Sequence, residues 1–296
     1  MFITPQTAAG DGALPPAVER PLRPSPWACG DYAVIGATLA IVAEQLVEAA
    51  DVRAGEKVLD VAAGTGNAAL AAARRYAHVT ATDPVPGLLD RARERARAEA
   101  LPLHCQVAGV ESLPFADASF DAVLSTFGAT YVADEAGAAR EMLRVLRPGG
   151  RIGLATWTPR GFVGRLCRVV GAHLPRVDRC TSPTRWGKPA HLAALFGLPP
   201  SQLLCHWRRF DFRYRSAAHW VQVFRDFHGP LHQAFAALDP PRQQALEDAM
   251  TALLQAANTA GPGSLVVPAS YLEAVITRPL TPSPAAQPCL SPSTPP

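Results

Sequence analysis

The chain has 296 residues, 48% hydrophobic and only 18% charged, with a formal net charge of +3. It is long enough to bury a sizeable core. It is too weakly basic for a nucleic-acid partner, which calls for a concentrated basic stripe. No apolar run reaches the roughly 18 residues that a membrane span needs, and the six cysteines form no CxxC pair of the kind that holds a metal.

The first 26 residues lack periodicity, and the stretch after Arg278 is rich in Pro and Ser. Segments 1–26 and 279–296 are therefore predicted to be disordered. The N-terminus shows neither a basic n-region nor an apolar h-region, so no signal peptide is expected, and free thiols in a reducing cytoplasm fit best. Order begins near Trp27. Ile35, Leu39, Val42, Leu46 and Val47 recur at helical spacing and predict a helix over Tyr32 to Ala50. Lys57 to Val61 reads as a buried strand, followed by a turn with two glycines and a helix over Ala68 to Arg75.

The alternation continues. Strands are predicted at 78–82, 103–108, 120–125 and 151–157, and helices at 86–100 and 133–146, the last stopped by the Arg147-Pro148-Gly149-Gly150 breaker. Arg91, Arg93, Arg95 and Arg97 are spread around their helix and read as a solvated surface. This pattern gives an α/β class: a doubly wound, Rossmann-like, mostly parallel sheet with helices on both faces. Beyond Pro159, helices at 162–174, 190–196, 217–227 and 241–257 and strands at 203–214 and 271–277 are predicted to complete the sheet and to add a helical cap from the C-terminal half. The expected division is a core at 27–158 and sheet completion with a substrate cap at 159–278.

The strand–turn–helix at 57–75 makes a nucleotide-sized pocket, because the helix aims unsatisfied N–H groups at the turn. Gly64 to Ala69 fits the GxGxxG/A fingerprint of a dinucleotide site, with Asp83 19 residues beyond Gly64. Asp60 argues otherwise. A carboxylate at the strand tip repels a pyrophosphate and welcomes a cationic group. An acidic loop, Glu111 to Asp117, follows the third strand, and the LRPGGR turn leads into the fifth.

Together these residues resemble the class I S-adenosylmethionine-dependent methyltransferases, and among them the type 11 subgroup that includes quinone-biosynthesis and natural-product enzymes. The likeness is dense from about Trp27 to Trp157 and looser from Pro159 to Arg278. It implies S-adenosyl-L-methionine as cofactor. The segment Asp60 to Gly66, with Ala62, Gly64 and Gly66, would cradle the methionine part, and Asp60 would face its amino group. Asp83, followed by Pro84, would take the ribose hydroxyls, Val110 and Glu111 would flank the adenine, and Ser125 and Thr126 would lie beside the methyl donor. Tyr32 and Trp27, leading into the first helix, would close over the site. Two positions depart from the family: Ala62 stands for a glycine and is tolerable if its φ is negative, and Gly109 stands for an aspartate. Alternatively, Asp60 merely caps a helix and Asp83 forms a turn.

Methyl transfer from a sulfonium needs mainly positioning and exclusion of water. Ser125-Thr126-Phe127-Gly128 lacks the Asn/Asp-Pro-Pro-aromatic signature of enzymes that methylate DNA bases and similar amides. The aromatic C-terminal half, with Trp157, Trp186, Trp207, Trp220, Phe224, Phe227 and Tyr271, points to a fairly apolar small-molecule acceptor. His228 is the candidate catalytic base, ahead of His219 and His173. The rival expectations are an NAD(P)-dependent oxidoreductase and a non-catalytic cofactor-binding protein. No metal site, nucleic-acid partner or membrane is expected, and the oligomeric state is left open.

Overall fold

The computed structural model describes residues 25–174, 182–199 and 202–280. The predicted disordered ends lie outside the described residues except for Ser25, Pro26, Pro279 and Leu280. In chain order the elements are α1 (Ala33–Gly36), α2 (Ala40–Ala49), β1 (Lys57–Val61), α3 (Asn67–Ala73), β2 (His78–Asp83), α4 (Pro86–Ala98), β3 (His104–Val107) and β4 (Phe120–Thr126). There follow α5 (Glu135–Val145), β5 (Leu146–Trp157), α6 (Phe162–His173), α7 (Pro189–Phe196), β6 (Leu203–Tyr214), α8 (Ala217–Phe227), α9 (Gly229–Ala236), α10 (Pro240–Ala257) and β7 (Leu265–Thr277).

Among the described residues the strands form one 7-stranded sheet in the order β3-β2-β1-β4-β5-β7-β6. The first five are parallel, and β7 runs antiparallel to both β5 and β6. Strand order reverses between β1 and β4, which opens a crevice at the carboxyl ends of these strands. Alternation along β1 sends Val58 to one face and Leu59 and Val61 to the other. On the first face Val58 and Leu124 pack with Val47, Ala69 and Ala72 of α2 and α3. On the second, Leu59, Val61 and Val123 pack with Met142 of α5 and with Leu192 and Phe196 of α7. The buried alanines of α3, Ala68 to Ala73, let that helix approach sheet and neighbour closely. A third cluster joins Phe162, Trp220 and Phe224 of α6 and α8 to Phe212 and Tyr271 of β6 and β7.

The fold departs from the sequence expectation in four places. The helix predicted over Tyr32 to Ala50 is broken. Asn67 Nδ2 donates to the Gly36 carbonyl at 2.7 Å, and the Ala40 amide bonds to Ala37 instead. The Arg147-Pro148-Gly149-Gly150 breaker is not a turn but the start of β5, aligned with the end of β7 through bonds from Gly149 N to Arg278 O and from Arg278 N to Gly150 O. Strand β7 begins at Leu265 rather than Tyr271, because it pairs along its whole length with β6. Helix α9 was not predicted. Pro230 opens it and His228 caps it.

Leu59 is fully buried at the centre of the sheet. Truncation in Leu59→Ala is expected to cost about 2–5 kcal/mol of stability, read from the urea midpoint.

Candidate active site

The bend after β1 is shaped by three left-handed residues, Ala62 (φ 49), Gly64 (φ 55) and Gly66 (φ 81). The negative φ on which alanine's tolerance at 62 depended is therefore not observed. Held there, an L-residue costs about 1–2 kcal/mol. The methyl is accommodated by Gly128, where a side chain would overlap the Ala62 carbonyl oxygen and place its Cβ 2.7 Å from Ala62 Cβ. A Cβ on Gly64, by contrast, would meet nothing within 4 Å, so its open side faces empty space.

Beneath the bend lies Asp60, 1% exposed. Its Oδ2 accepts from Ala69 N at 2.8 Å in the first turn of α3, while its Oδ1 is buried with no partner among the described residues. Burial, with a smaller contribution from the neighbouring Asp83 charge, pushes its pKa up to about 8. Asp83 at the tip of β2 accepts from Val85 N through Oδ1 and from Gly64 N through Oδ2, each at 2.9 Å, and burial raises its pKa too. Helix capping by Asp60 and turn formation by Asp83 are thus real. Neither uses up the carboxylate, and both residues line the crevice.

That crevice is a cavity of about 500 Å³. Tyr32, Asp60, Ala62, Gly64, Asp83, Pro84, Val110, Glu111 and Thr126 all line it. Gly66 and Ser125 do not. A Cβ on Gly66 would sit 2.9 Å from Ala92 Cβ, so this glycine serves the packing of the bend on α4. Ser125 Oγ donates to Val61 O and accepts from Ala129 N, both at 3.0 Å, which ties β1 to the turn after β4. Thr126 Oγ1 is buried without a partner among the described residues. The Glu111 carboxylate lies beside Gly109, where a Cβ would sit 3.2 Å from its Oε2. Asp60, Asp83 and Glu111 line the cavity, and no lysine or arginine does among the described residues. Such a lining favours a cationic ligand and repels a pyrophosphate.

The opposite part of the cavity is aromatic. Phe127 stacks on Trp157 at 3.9 Å, and Trp220 on Phe224 at 3.7 Å. Trp27 packs edge-on against Tyr32, Tyr131 and His228, and all four line the cavity. Of the aromatics expected there, Trp157, Trp220 and Phe224 are present. Trp186 is buried against Phe196, Tyr271 lies in the core, Phe227 is outside the lining and Trp207 is 62% exposed. His173 and His219 are bonded to backbone outside the cavity. His228 lies between α8 and α9, and its Nδ1 accepts from Leu231 N at 3.3 Å. Burial lowers its pKa to about 4. With Nδ1 accepting from the Leu231 amide, a neutral ring carries its proton on Nε2, the nitrogen a base would need free.

Sequence reasoning missed Asn67, Phe127 and Tyr131 in the lining, and the work of Arg95. Instead of facing solvent, Arg95 donates to Thr65 O at 2.7 Å and to Asn67 Oδ1 at 2.8 Å, clamping the bend from outside. Charge alternation along α4 gave no signal for this.

A family model for a methyltransferase domain matches residues 59–154. An uncharacterized protein of Mycobacterium tuberculosis, Rv1405c, is 40% identical over 217 residues, covering 71% of this chain and 78% of that protein. A demethylmenaquinone methyltransferase of Deinococcus radiodurans is 35% identical over 178 residues, covering 56% of this chain and 74% of its own. Among solved structures, a candidate methyltransferase from Bacillus halodurans shares the fold at a TM-score of 0.58 and 20% identity, over 80% of this chain and 98% of that one.

Because Ala62 carries the conformational cost and Gly128 the space for its methyl, Ala62→Gly should be neutral to stabilising by up to about 1 kcal/mol, seen as a raised urea midpoint. The reverse change at the facing position, Gly128→Ala, should destabilise the fold.

Proposed function

The chain belongs to the methyltransferase domain family, and on that premise we propose that it carries a methyl group to a small, fairly apolar acceptor by in-line displacement. Its cofactor is S-adenosylmethionine, and the residues present fit that group. One observation carries the fit: Asp60, buried under an open glycine bend, keeps Oδ1 without a partner in a cavity lined by carboxylates and by no described lysine or arginine. The same lining disfavours the NAD(P) reading.

In this reading Asp60 holds the ammonium of the methionine part, with the backbone of Ala62 and Gly64 alongside. Asp83 takes the ribose hydroxyls through lone pairs not engaged by Gly64 and Val85. Pro84, Val110 and Glu111 would flank the adenine. Thr126 and Tyr32 border the methyl-bearing end. When bound, the cofactor supplies a methyl group already activated by the positive charge on sulfur. The protein aligns the acceptor and keeps water out through Trp27, Tyr131, Phe127 and Trp157, so that position and not acid–base chemistry lowers the barrier. The aromatic lining supports an apolar, ring-bearing acceptor. Likeness to a demethylmenaquinone methyltransferase agrees with an acceptor of this kind. The free state of the described cysteines, Cys29, Cys105, Cys167 and Cys205, supports a cytoplasmic setting.

A thermal-shift comparison tests the reading. S-adenosylhomocysteine at about 100 times its dissociation constant should stabilise by about 2.7 kcal/mol. NADH should give no shift, and Asp83→Ala should abolish the response to S-adenosylhomocysteine. Stabilisation by NADH alone would refute the proposal, and tight binding without turnover on any apolar aromatic acceptor would turn it into a binding protein.

The Asp60 carboxyl adds a pH signature. With its pKa near 8 it is protonated in the free protein at neutral pH, and an ammonium ligand prefers the carboxylate. Binding at neutral pH should therefore release a proton, seen by calorimetry in buffers of different ionisation heat. Affinity should rise with pH towards 8 and lose this rise in Asp60→Asn. Since the folded value lies above the unfolded one, this group's contribution to stability is present below about pH 4 and is lost as pH rises through about 8.

A further inference from the structure

We infer that His228 is not the base but a fixed hydrogen-bond donor, presenting Nε2–H to an oxygen of the methyl acceptor while the Leu231 amide holds Nδ1. This rests on the methyltransferase reading of the same cavity. A neutral imidazole carries one proton. The Leu231 amide donates to Nδ1 at 3.3 Å, so that nitrogen must offer its lone pair and the proton resides on Nε2. Among the described residues Nε2 has no partner, and His228 lines the cavity beside the rings of Trp27 and Tyr32.

The ring is confined by aromatic neighbours. It is stacked on Phe224 at 5.6 Å and flanked by Trp27 at 5.1 Å and Tyr32 at 6.3 Å. The chain on both sides is pinned. A side chain on Gly229 would overlap Pro26 O and sit 2.8 Å from Cys29 O, and a Cβ on Gly30 would lie 2.8 Å from Phe227 O. Burial keeps the ring neutral at physiological pH, so it has no charge to lose and no free basic nitrogen to offer.

An Nε2–H donor selects an acceptor with an oxygen lone pair at or next to the methylated atom, and it stabilises an oxyanion there. The acceptor is then a phenol or enol that has already ionised, with its proton released to water. The acceptor's electron pair forms the new bond to the methyl carbon as the carbon–sulfur bond breaks, and those electrons remain on a neutral sulfur. His228 donates throughout and takes no proton.

The full-length protein tests this in two ways. Imidazole nitrogen NMR shifts, assigned to His228 by their loss in His228→Asn, should show a neutral ring protonated on Nε2 at neutral pH. A ring protonated on Nδ1, or an imidazolium, overturns the inference whether or not any ligand binds. The second readout uses para-nitrophenol, whose ionisation is visible in its absorbance, with S-adenosylhomocysteine present. The bound probe should ionise below its free pKa. His228→Asn keeps an oxygen to cap α9 but lacks the reach of Nε2, and should weaken probe binding about tenfold or more. His228→Gln, whose amide reaches the Nε2 position, should recover much of it. A purely structural histidine would instead be rescued by Asn. Wild-type protein that binds the probe no better than His228→Asn, or binds it only un-ionised, overturns the inference. Absence of an S-adenosylhomocysteine thermal shift would sink the methyltransferase reading instead, and the NMR result would stand apart from it.

Discussion

Two carboxylates buried at adjacent strand tips set the terms for everything around them. Taking Asp60 and Asp83 out of water is costly unless each finds donors. The chain supplies them nearby: Ala69 N in the first turn of α3 for Asp60, and Gly64 N in the bend and Val85 N just after β2 for Asp83. The bend is therefore held to the strand tips by the groups that line its cavity. What is left over is an unpartnered Asp60 oxygen and a carboxyl group whose pKa burial has raised, with a smaller push from the Asp83 charge. A site with this imbalance suits a cationic group. At neutral pH the free protein holds Asp60 protonated, and on the proposed reading a ligand's ammonium would favour its carboxylate form.

The same bend is clamped from outside. Arg95 holds Thr65 and Asn67, Asn67 reaches the Gly36 carbonyl, and the helix that sequence periodicity draws as continuous breaks there. The break lets α1 and the preceding Trp27 fold over the cavity, where Trp27 meets Tyr131 and His228. Gly30 and Gly229 permit the backbones of this segment and of the α8–α9 junction to touch. The bend after β1, the covering segment and the aromatic wall are thus one connected packing unit. Asp31, bonded to Arg91 of α4, adds a solvent-side tie.

Much of this was legible because the strongest signals are local. Val58 and Leu59 on opposite faces, the alanine run of α3 and the glycines at 64 and 66 all act within one strand–turn–helix unit, and the parallel order follows from alternation. What sequence reading missed depends on pairs far apart in the chain. Gly128 matters because of Ala62, and Arg95 because of Thr65. Ser125 looks like a site residue by its position at a strand end, yet its hydroxyl is consumed by Val61 and Ala129. His228 was visible as a histidine. Its tautomer, fixed by an amide three residues on, was not, because no periodicity announced α9.

Low-identity likeness to solved structures gives the fold and no more; what the cavity can do follows from how its polarity is divided. Carboxylates gather at the strand tips, and the far wall is built of rings with neutral donors. A base acting on the acceptor would need a titratable nitrogen or oxygen poised near neutral pH on that wall. The groups there are displaced from it: burial lowers His228 to about 4 and raises Tyr32 to about 12. On the proposed reading, an acceptor bound against this wall would bring its own nucleophilicity. On that reading the wall would supply shape, a fixed hydrogen bond and the exclusion of water.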